Sequence, residues 1–266
     1  MLPEIKIGRY ALPSYGIAIY LGLLCLALIS YREAKKRKIN GEDLIYSLVL
    51  ALLAAGLGAK LLYLITVLPS IPWSKLSAAE INLALYDLLR SGFVVYGALF
   101  AGFLSLWAYA KKYRLNSYKL LASIAVGLPF AQACGRIGCF LAGCCYGYPY
   151  SGPLALSFPQ SSLHPLPVPR FPTQLVWALG NFLFGSFLLF YSHHLGRRAS
   201  SAKQVFTAYL LGYSLLRFCG EFLRGDLIRG VYGPLSQAQW ISIFVFGFGL
   251  VLLITNKFKR KKSKKG

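Results

Sequence analysis

The chain has 266 residues, of which 56% are hydrophobic and 14% charged, with 29 Lys and Arg against 8 Asp and Glu for a net charge of +21. Such a composition excludes an ordinary soluble domain, and no linker is long enough to set one apart. The chain reads as a single membrane domain over 1–266 with a basic tail at 256–266. Its excess positive charge is what anionic headgroups attract, so membrane lipids, not nucleic acid, are the expected partners.

Apolar runs of about 18 residues or more recur along the whole length, each able to cross a bilayer as a helix. They predict seven spans, at 12–30, 44–68, 92–110, 120–138, 172–192, 205–222 and 236–255, in an all-α polytopic bundle. The first has only a weakly charged flank (Glu4, Lys6, Arg9), no small-residue cleavage site, and its basic cluster behind it. It therefore reads as a retained helix and not a signal peptide.

Basic residues cluster on alternate connections. Arg32, Lys35, Lys36, Arg37 and Lys38 follow the first span; Lys111, Lys112, Arg114 and Lys119 follow the third. Arg197, Arg198 and Lys203 follow the fifth, and the tail adds Lys257, Lys259, Arg260, Lys261, Lys262, Lys264 and Lys265. By the positive-inside rule that face is cytoplasmic, which puts the N-terminus outside and the C-terminus inside. Between the second and third spans, Trp73 marks an interface, and the amphipathic stretch after Ser77 predicts a short helix on the outer membrane surface.

The fourth span ends in GRIGCFLAGCCYG, residues 135–147, where Arg136 is the one charge in an apolar setting. A charge at membrane depth costs at least about 2.5–3.5 kcal/mol on insertion scales, which marks a polar site. Gly135, Gly138 and Gly143 serve either close helix packing or ligand-facing backbone N–H groups, and the buried cation among them points to the second. Cys134, Cys139, Cys144 and Cys145 are spaced too widely and too apolarly for a standard zinc pattern. A disulfide on an oxidising outer face is the alternative there; Cys25 and Cys219 read as small apolar residues. No motif implies a metal or an organic cofactor.

The Pro-rich segment YGYPYSGPLALSFPQSSLHPLPVPRFPTQ cannot continue as helix and reads as an outward loop, with His164 near a substrate entrance. His193 and His194 belong to a solvated face. In the sixth span Arg217, Glu221 and Arg224 fall at i, i+4 and i+7 and share one helix face, with Asp226 following. They form either an internal ion-pair network or, with Arg136, an anion site. Two guanidiniums aimed at one point fit a phosphate held bidentately.

GRIGCFLAGCCYG resembles the signature of the prolipoprotein diacylglyceryl transferase family, and the likeness runs along almost the whole chain. SYGIAIYLG near residue 14 is similar to the family's first-span pattern, with Tyr15 at its tyrosine. GLGAKLLY resembles the second-span element, with Lys60 where many members have Arg, and SGFVVYGALFAG resembles the third-span motif. PTQL at 172–175, RFCGEFLRGD and SQAQWISI complete the series. Departures are Tyr96 where His is common, Phe171 before PTQL and Val176-Trp177 after it, Cys139 for Asn, and Cys144 at an acidic position.

The resemblance implies a bacterial inner-membrane enzyme that moves the diacylglyceryl group of phosphatidylglycerol onto the lipobox cysteine of a prolipoprotein carrying its signal peptide. It implies catalytic roles for Arg136, Arg217 and Tyr96. It also implies substrate contacts by Arg136, Tyr15, Gly135, Gly138, Glu221 and Arg224. A divergent paralogue with another acceptor is the first alternative, motivated by the departures, and an anion transporter is the second. Transport predicts internal repeat symmetry, which the sequence does not display.

Overall fold

In a computed structural model, the description covers residues 4–7, 10–72, 76–90, 92, 94–158, 166–225 and 231–262. Trp73, His164 and Asp226 lie outside the described residues. Backbone contacts divide the chain into two compact units, one of residues 1–38 with 122–266 and one of residues 39–121.

The first unit opens with an antiparallel hairpin, β1 (Glu4–Ile7) and β2 (Tyr10–Pro13), which pairs Glu4 with Pro13 and Ile7 with Tyr10. Helix α1 (Ser14–Lys36) follows directly. The unit resumes in α5 (Ser117–Ala142), whose first residues belong to the second unit, then runs through the hairpin β3 (Leu156–Phe158) and β4 (Leu166–Arg170). Helices α6 (Thr173–Leu195) and α7 (Ala199–Glu221) come next, then the two-residue strands β5 (Val231–Tyr232) and β6 (Leu235–Ser236), and α8 (Gln237–Lys262). SQAQ caps α8 reciprocally: the Ser236 N–H donates to Gln239 Oε1 and the Gln239 N–H to Ser236 Oγ.

The second unit holds α2 (Gly41–Val67), a 3-10 turn at Leu68–Ser70, α3 (Ala78–Arg90) and α4 (Val95–Lys112). Here GLGAKLLY and SGFVVYGALFAG meet: a Cβ on Gly58 would lie 2.5 Å from the Gly97 carbonyl oxygen, and one on Gly97 would lie 2.1 Å from that of Gly58. Only glycine allows helices to approach so closely. Lys60 Nζ donates to the Leu88 and Leu89 carbonyls at 2.5 and 3.0 Å, so the cation satisfies the C-terminal end of α3.

Helix α3 is the amphipathic segment expected after Ser77. Its start is a capping box in which Ser77 donates to Glu80 from both backbone and hydroxyl, while the Glu80 N–H donates to Ser77 Oγ. The Ser77 hydrogen bonds hold the Glu80 carboxyl below its ordinary value of 4.5. A depressed carboxylate stabilises the fold above its unfolded pKa and loses that contribution as pH falls through its folded value. Amide exchange over residues 78–90, corrected for intrinsic rates, is therefore expected to be unchanged from neutral pH down to the carboxylate range and to rise below it. Ser77→Ala is expected to raise it at neutral pH.

Polarity is distributed as a bilayer demands. Outward positions carry large apolar side chains such as Leu21, Leu24, Leu53, Leu57, Phe190 and Phe244, while buried positions include Ser30, Ser47, Ser123, Asn181, Ser192 and Ser214. Without water outside, helices gain from small and polar contacts inside rather than from burying leucine. Five helices, α1, α2, α5, α6 and α8, are long and apolar enough to cross a membrane. The protein is an all-α polytopic membrane protein. Helices α4 and α7 coincide in position with the other two expected spans.

One member of the basic cluster expected to follow the first span is interior. Arg37 is 1% exposed. It pairs with Glu33 and donates to Ser192 Oγ at 2.7 Å, while the Ser192 hydroxyl donates to Glu33 and Lys36 Nζ donates to the Ser192 carbonyl. This network ties the end of α1 to the end of α6.

Candidate functional site

The site is built where α5 ends. Gly143 adopts φ +72, its N–H donates to the Phe140 carbonyl, and the Cys144 N–H donates to the Cys139 carbonyl. These two bonds close a Schellman cap, with the left-handed residue that glycine accepts most readily. The chain then turns through Cys145 at φ +57. It is pinned by the Gln174 amide, which donates to the Cys144 carbonyl at 2.8 Å, by Gly147 N–H to Phe171 carbonyl, and by Gly225 N–H to Tyr146 carbonyl. Thr173 Oγ1 donates to the Leu223 carbonyl at 2.8 Å. The PTQ motif thus fastens the start of α6 to the ends of α5 and α7.

Trp177, one turn beyond Gln174, is 3% exposed. Arg136 Cζ lies 4.9 Å from the centroid of its ring and Arg217 Cζ 5.0 Å. Two guanidiniums from different helices therefore share one indole, an arrangement that holds cations in a dry site by cation–π attraction. Glu221, 1% exposed, places Oε2 3.1 Å from Arg217 Nη2 and 3.7 Å from Arg224 Nη1. Arg136 has no carboxylate partner among the described residues. Arg217 Nη1 and Trp177 Nε1 are buried donors without a protein acceptor among the described residues. Cationic donors left open in an apolar interior are what an anionic ligand completes.

Space for the indole comes from Gly220: a Cβ there would lie 2.4 Å from the Trp177 ring. Gly220→Ala is expected to cost about 1–3 kcal/mol by overpacking. It would also shift the indole, seen as a change in tryptophan fluorescence together with a lower unfolding temperature.

Tyr15, in the first turn of α1, leans on Gly138, where a Cβ would lie 3.1 Å from its ring and 2.9 Å from Ala18 Cβ. Its hydroxyl is within electrostatic reach of Arg136 and of Cys139, Cys144 and Cys145. Gly135 and Gly138 lie inside α5, where backbone N–H groups serve the helix ladder. What the structure displays at Gly138 is close approach of α1. Tyr96 lies in the first turn of α4, in the other unit.

The sulfur atoms of Cys139, Cys144 and Cys145 all lie within 4.8 Å of one another. Cys145 is held below the ordinary thiol range, first by hydrogen bonding with Cys139 and Cys144 and then by the charges of Arg224 and Arg136. Hydrogen bonding with Cys139 and Cys145, together with burial, pushes Cys144 up.

The prolipoprotein diacylglyceryl transferase family model matches residues 4–255. The phosphatidylglycerol–prolipoprotein diacylglyceryl transferase 2 of Clostridium perfringens is 37% identical over 249 residues, covering 94% of this chain and 93% of its own. The enzyme named phosphatidylglycerol–prolipoprotein diacylglyceryl transferase from Clostridium tetani is 36% identical, covering 93% and 94%. That from Polynucleobacter necessarius is 29% identical over 97% and 96%. The chain belongs to the prolipoprotein diacylglyceryl transferase family.

Within this diacylglyceryl transferase family member, sequence reading brings forward Arg136, Arg217, Glu221, Arg224 and Tyr15, and the fold gathers all five in its first unit. Trp177, Gln174 and the three thiols escaped as site residues. The available signal was the inward stripe of α6: Gln174, Trp177, Ala178 and Asn181 repeat at helical spacing, and all are buried. Arg170 was missed as well; its guanidinium sits 4.8 Å from the centroid of the Tyr146 ring and Nη1 donates to the Gly147 carbonyl.

Proposed function

We propose that the protein transfers the diacylglyceryl group of phosphatidylglycerol to the lipobox cysteine thiol of prolipoproteins, releasing glycerol phosphate. The observation that carries this reading is the pair of guanidiniums, Arg136 and Arg217, on the one Trp177 indole in a chain of this family. The chemistry is displacement of a phosphate ester at a glycerol carbon by sulfur. Negative charge builds on the departing phosphate oxygens, and cations fixed in a water-poor site stabilise it without reorganising.

In this reading Arg136 and Arg217 hold the leaving phosphate, and Glu221 orients Arg217 while balancing Arg224. Tyr15 orients headgroup or thiol by its hydroxyl, next to Gly135 and Gly138. Tyr96 takes its role from the family motif alone, as a hydroxyl near the proton transfer. Seven spans, an outer N-terminus and a cytoplasmic basic tail in the bacterial inner membrane complete the proposal. Both substrates are then membrane-anchored, and their confinement supplies much of the encounter and orientation.

The test is incubation of the purified protein with phosphatidylglycerol and a lipobox peptide, followed by mass spectrometry. Diacylglyceryl-modified cysteine is expected, and none with a Cys→Ser peptide. Consumption of the lipid with the Cys peptide unmodified would redirect the reading to another acceptor.

A further inference from the structure

The phosphate reading leaves three thiols unused. Cys139 sits in the last turn of α5, and the Cys144 N–H reaches back to its carbonyl at 3.0 Å, so the chain folds over the helix end. Cys145 follows at φ +57, a left-handed conformation that residues other than glycine adopt rarely and that gathers at functional turns. The result is three sulfur atoms within 4.8 Å of one another, each a free thiol on a partly exposed residue. Inert structural cysteines are buried in apolar surroundings, whereas reactive ones are partly exposed beside cations. Cys145 has two cations within electrostatic reach, Arg224 and Arg136.

We propose that Cys145 is a redox-reactive thiol which, with Cys139 as its partner, closes a reversible disulfide beside Arg136 and Arg224. Three thiols allow three pairs. Cys144 and Cys145 are neighbours in the chain, and Cα atoms about 3.8 Å apart across a trans peptide are closer than the roughly 4.4 Å that a disulfide needs. Both remaining pairs contain Cys139. Cys145 is the attacking sulfur, because the thiolate is the nucleophilic form and Cys145 is held below the ordinary thiol range while Cys144 is pushed up.

The oxidant is a low-molecular-weight disulfide. The Cys145 sulfur attacks one of its sulfurs, the disulfide bond breaks, and the electron pair leaves on the expelled thiolate. Cys139 then gives up its proton to water, and its sulfur displaces the second small thiolate from Cys145. Two protein thiols are thereby oxidised by two electrons, and one small disulfide is reduced to two thiols. In its thiolate form Cys145 is a counter-charge to Arg136 and Arg224, and the disulfide discharges it. The oxidised protein therefore holds an anionic headgroup more tightly, a consequence that rests on the function proposed above.

Full-length protein in detergent, equilibrated in glutathione redox buffers, alkylated and mapped by mass spectrometry, tests the site. A Cys139–Cys145 link that disappears on reduction is expected. Cys145→Ser should abolish it, and Cys139→Ser should instead accumulate glutathione on Cys145; Cys219→Ser should change neither, with helical content checked by circular dichroism. Oxidation should lower KM for phosphatidylglycerol by about three- to tenfold, the effect of withdrawing one nearby unit charge in a partly screened site. In Cys145→Ser, KM should be low in both buffers. Thiols that stay free in oxidising buffer, a Cys139–Cys144 link that survives in Cys145→Ser, or a link confined to Cys25 and Cys134, which lie within hydrogen-bonding reach of each other, overturns the site. A Cys139–Cys145 link with an unchanged KM overturns its effect on the anion site. A link formed in protein that never modifies a lipobox peptide separates failure of the transferase reading from failure of the redox site.

Discussion

Arg136→Lys is expected to lower kcat for diacylglyceryl transfer by about 10²–10³-fold, the loss typical of removing one preorganised donor from a site where charge develops. Lysine keeps the positive charge, so simple electrostatics predicts a mild effect. Geometry predicts a severe one. A guanidinium offers a planar fork for two phosphate oxygens and a flat face for the indole; an ammonium offers a point charge that is more strongly hydrated. Arg136 also lacks a carboxylate partner among the described residues, so its charge is available to a ligand rather than committed to a neighbour. Arg136→Ala should be at least as severe. The variants are compared at saturating phosphatidylglycerol, with product measured by mass spectrometry. Retention of more than a tenth of wild-type kcat in Arg136→Lys would remove Arg136 from the chemical step. Trp177→Phe keeps an aromatic face but loses the indole N–H and some cation–π attraction, and a smaller loss is expected.

The contrast between Arg136 and Arg37 explains what the sequence makes legible. Both are arginines near the end of an apolar run, yet only Arg136 stands alone in its run. Arg37 sits within a basic cluster, and its partner Ser192 lies 155 residues away along the chain, beyond any local pattern. Membrane spans are the opposite case. Each must satisfy its own backbone within one apolar segment, so five of the expected runs coincide with helices long and apolar enough to cross a membrane among the described residues. Strands β1 to β6, of two to five residues, carry too few side chains for an alternation to register. The thiols were hidden by spacing. Cys139 and Cys144 are five apart in sequence, and only a Schellman cap reverses the chain enough to bring them together. Trp177 was visible as a departure from the family pattern and as part of the inward stripe of α6, but its meaning depends on arginines supplied by two other helices.

Glu221→Ala is expected to destabilise the protein by about 3–5 kcal/mol, since truncating one partner of a buried ion pair strands the other charge without water. Here it strands two. Glu221 Oε2 faces Arg217 Nη2 at 3.1 Å and Arg224 Nη1 at 3.7 Å, and both arginine side chains are less than one-fifth exposed. Glu221→Gln keeps the shape and one acceptor oxygen, so its cost should be smaller. Thermal unfolding in detergent, followed by circular dichroism, measures both. The informative companion is the double variant Arg217→Met with Glu221→Leu, which removes the principal charges together. Well-packed apolar replacements for a buried pair are often neutral or stabilising, so much of the lost stability should return. Transfer activity should not return with it, because the second phosphate clamp is gone. If stability and activity recover together, Arg217 is a strut. If stability alone recovers, its charge serves the substrate and Glu221 is the residue that keeps that charge in place.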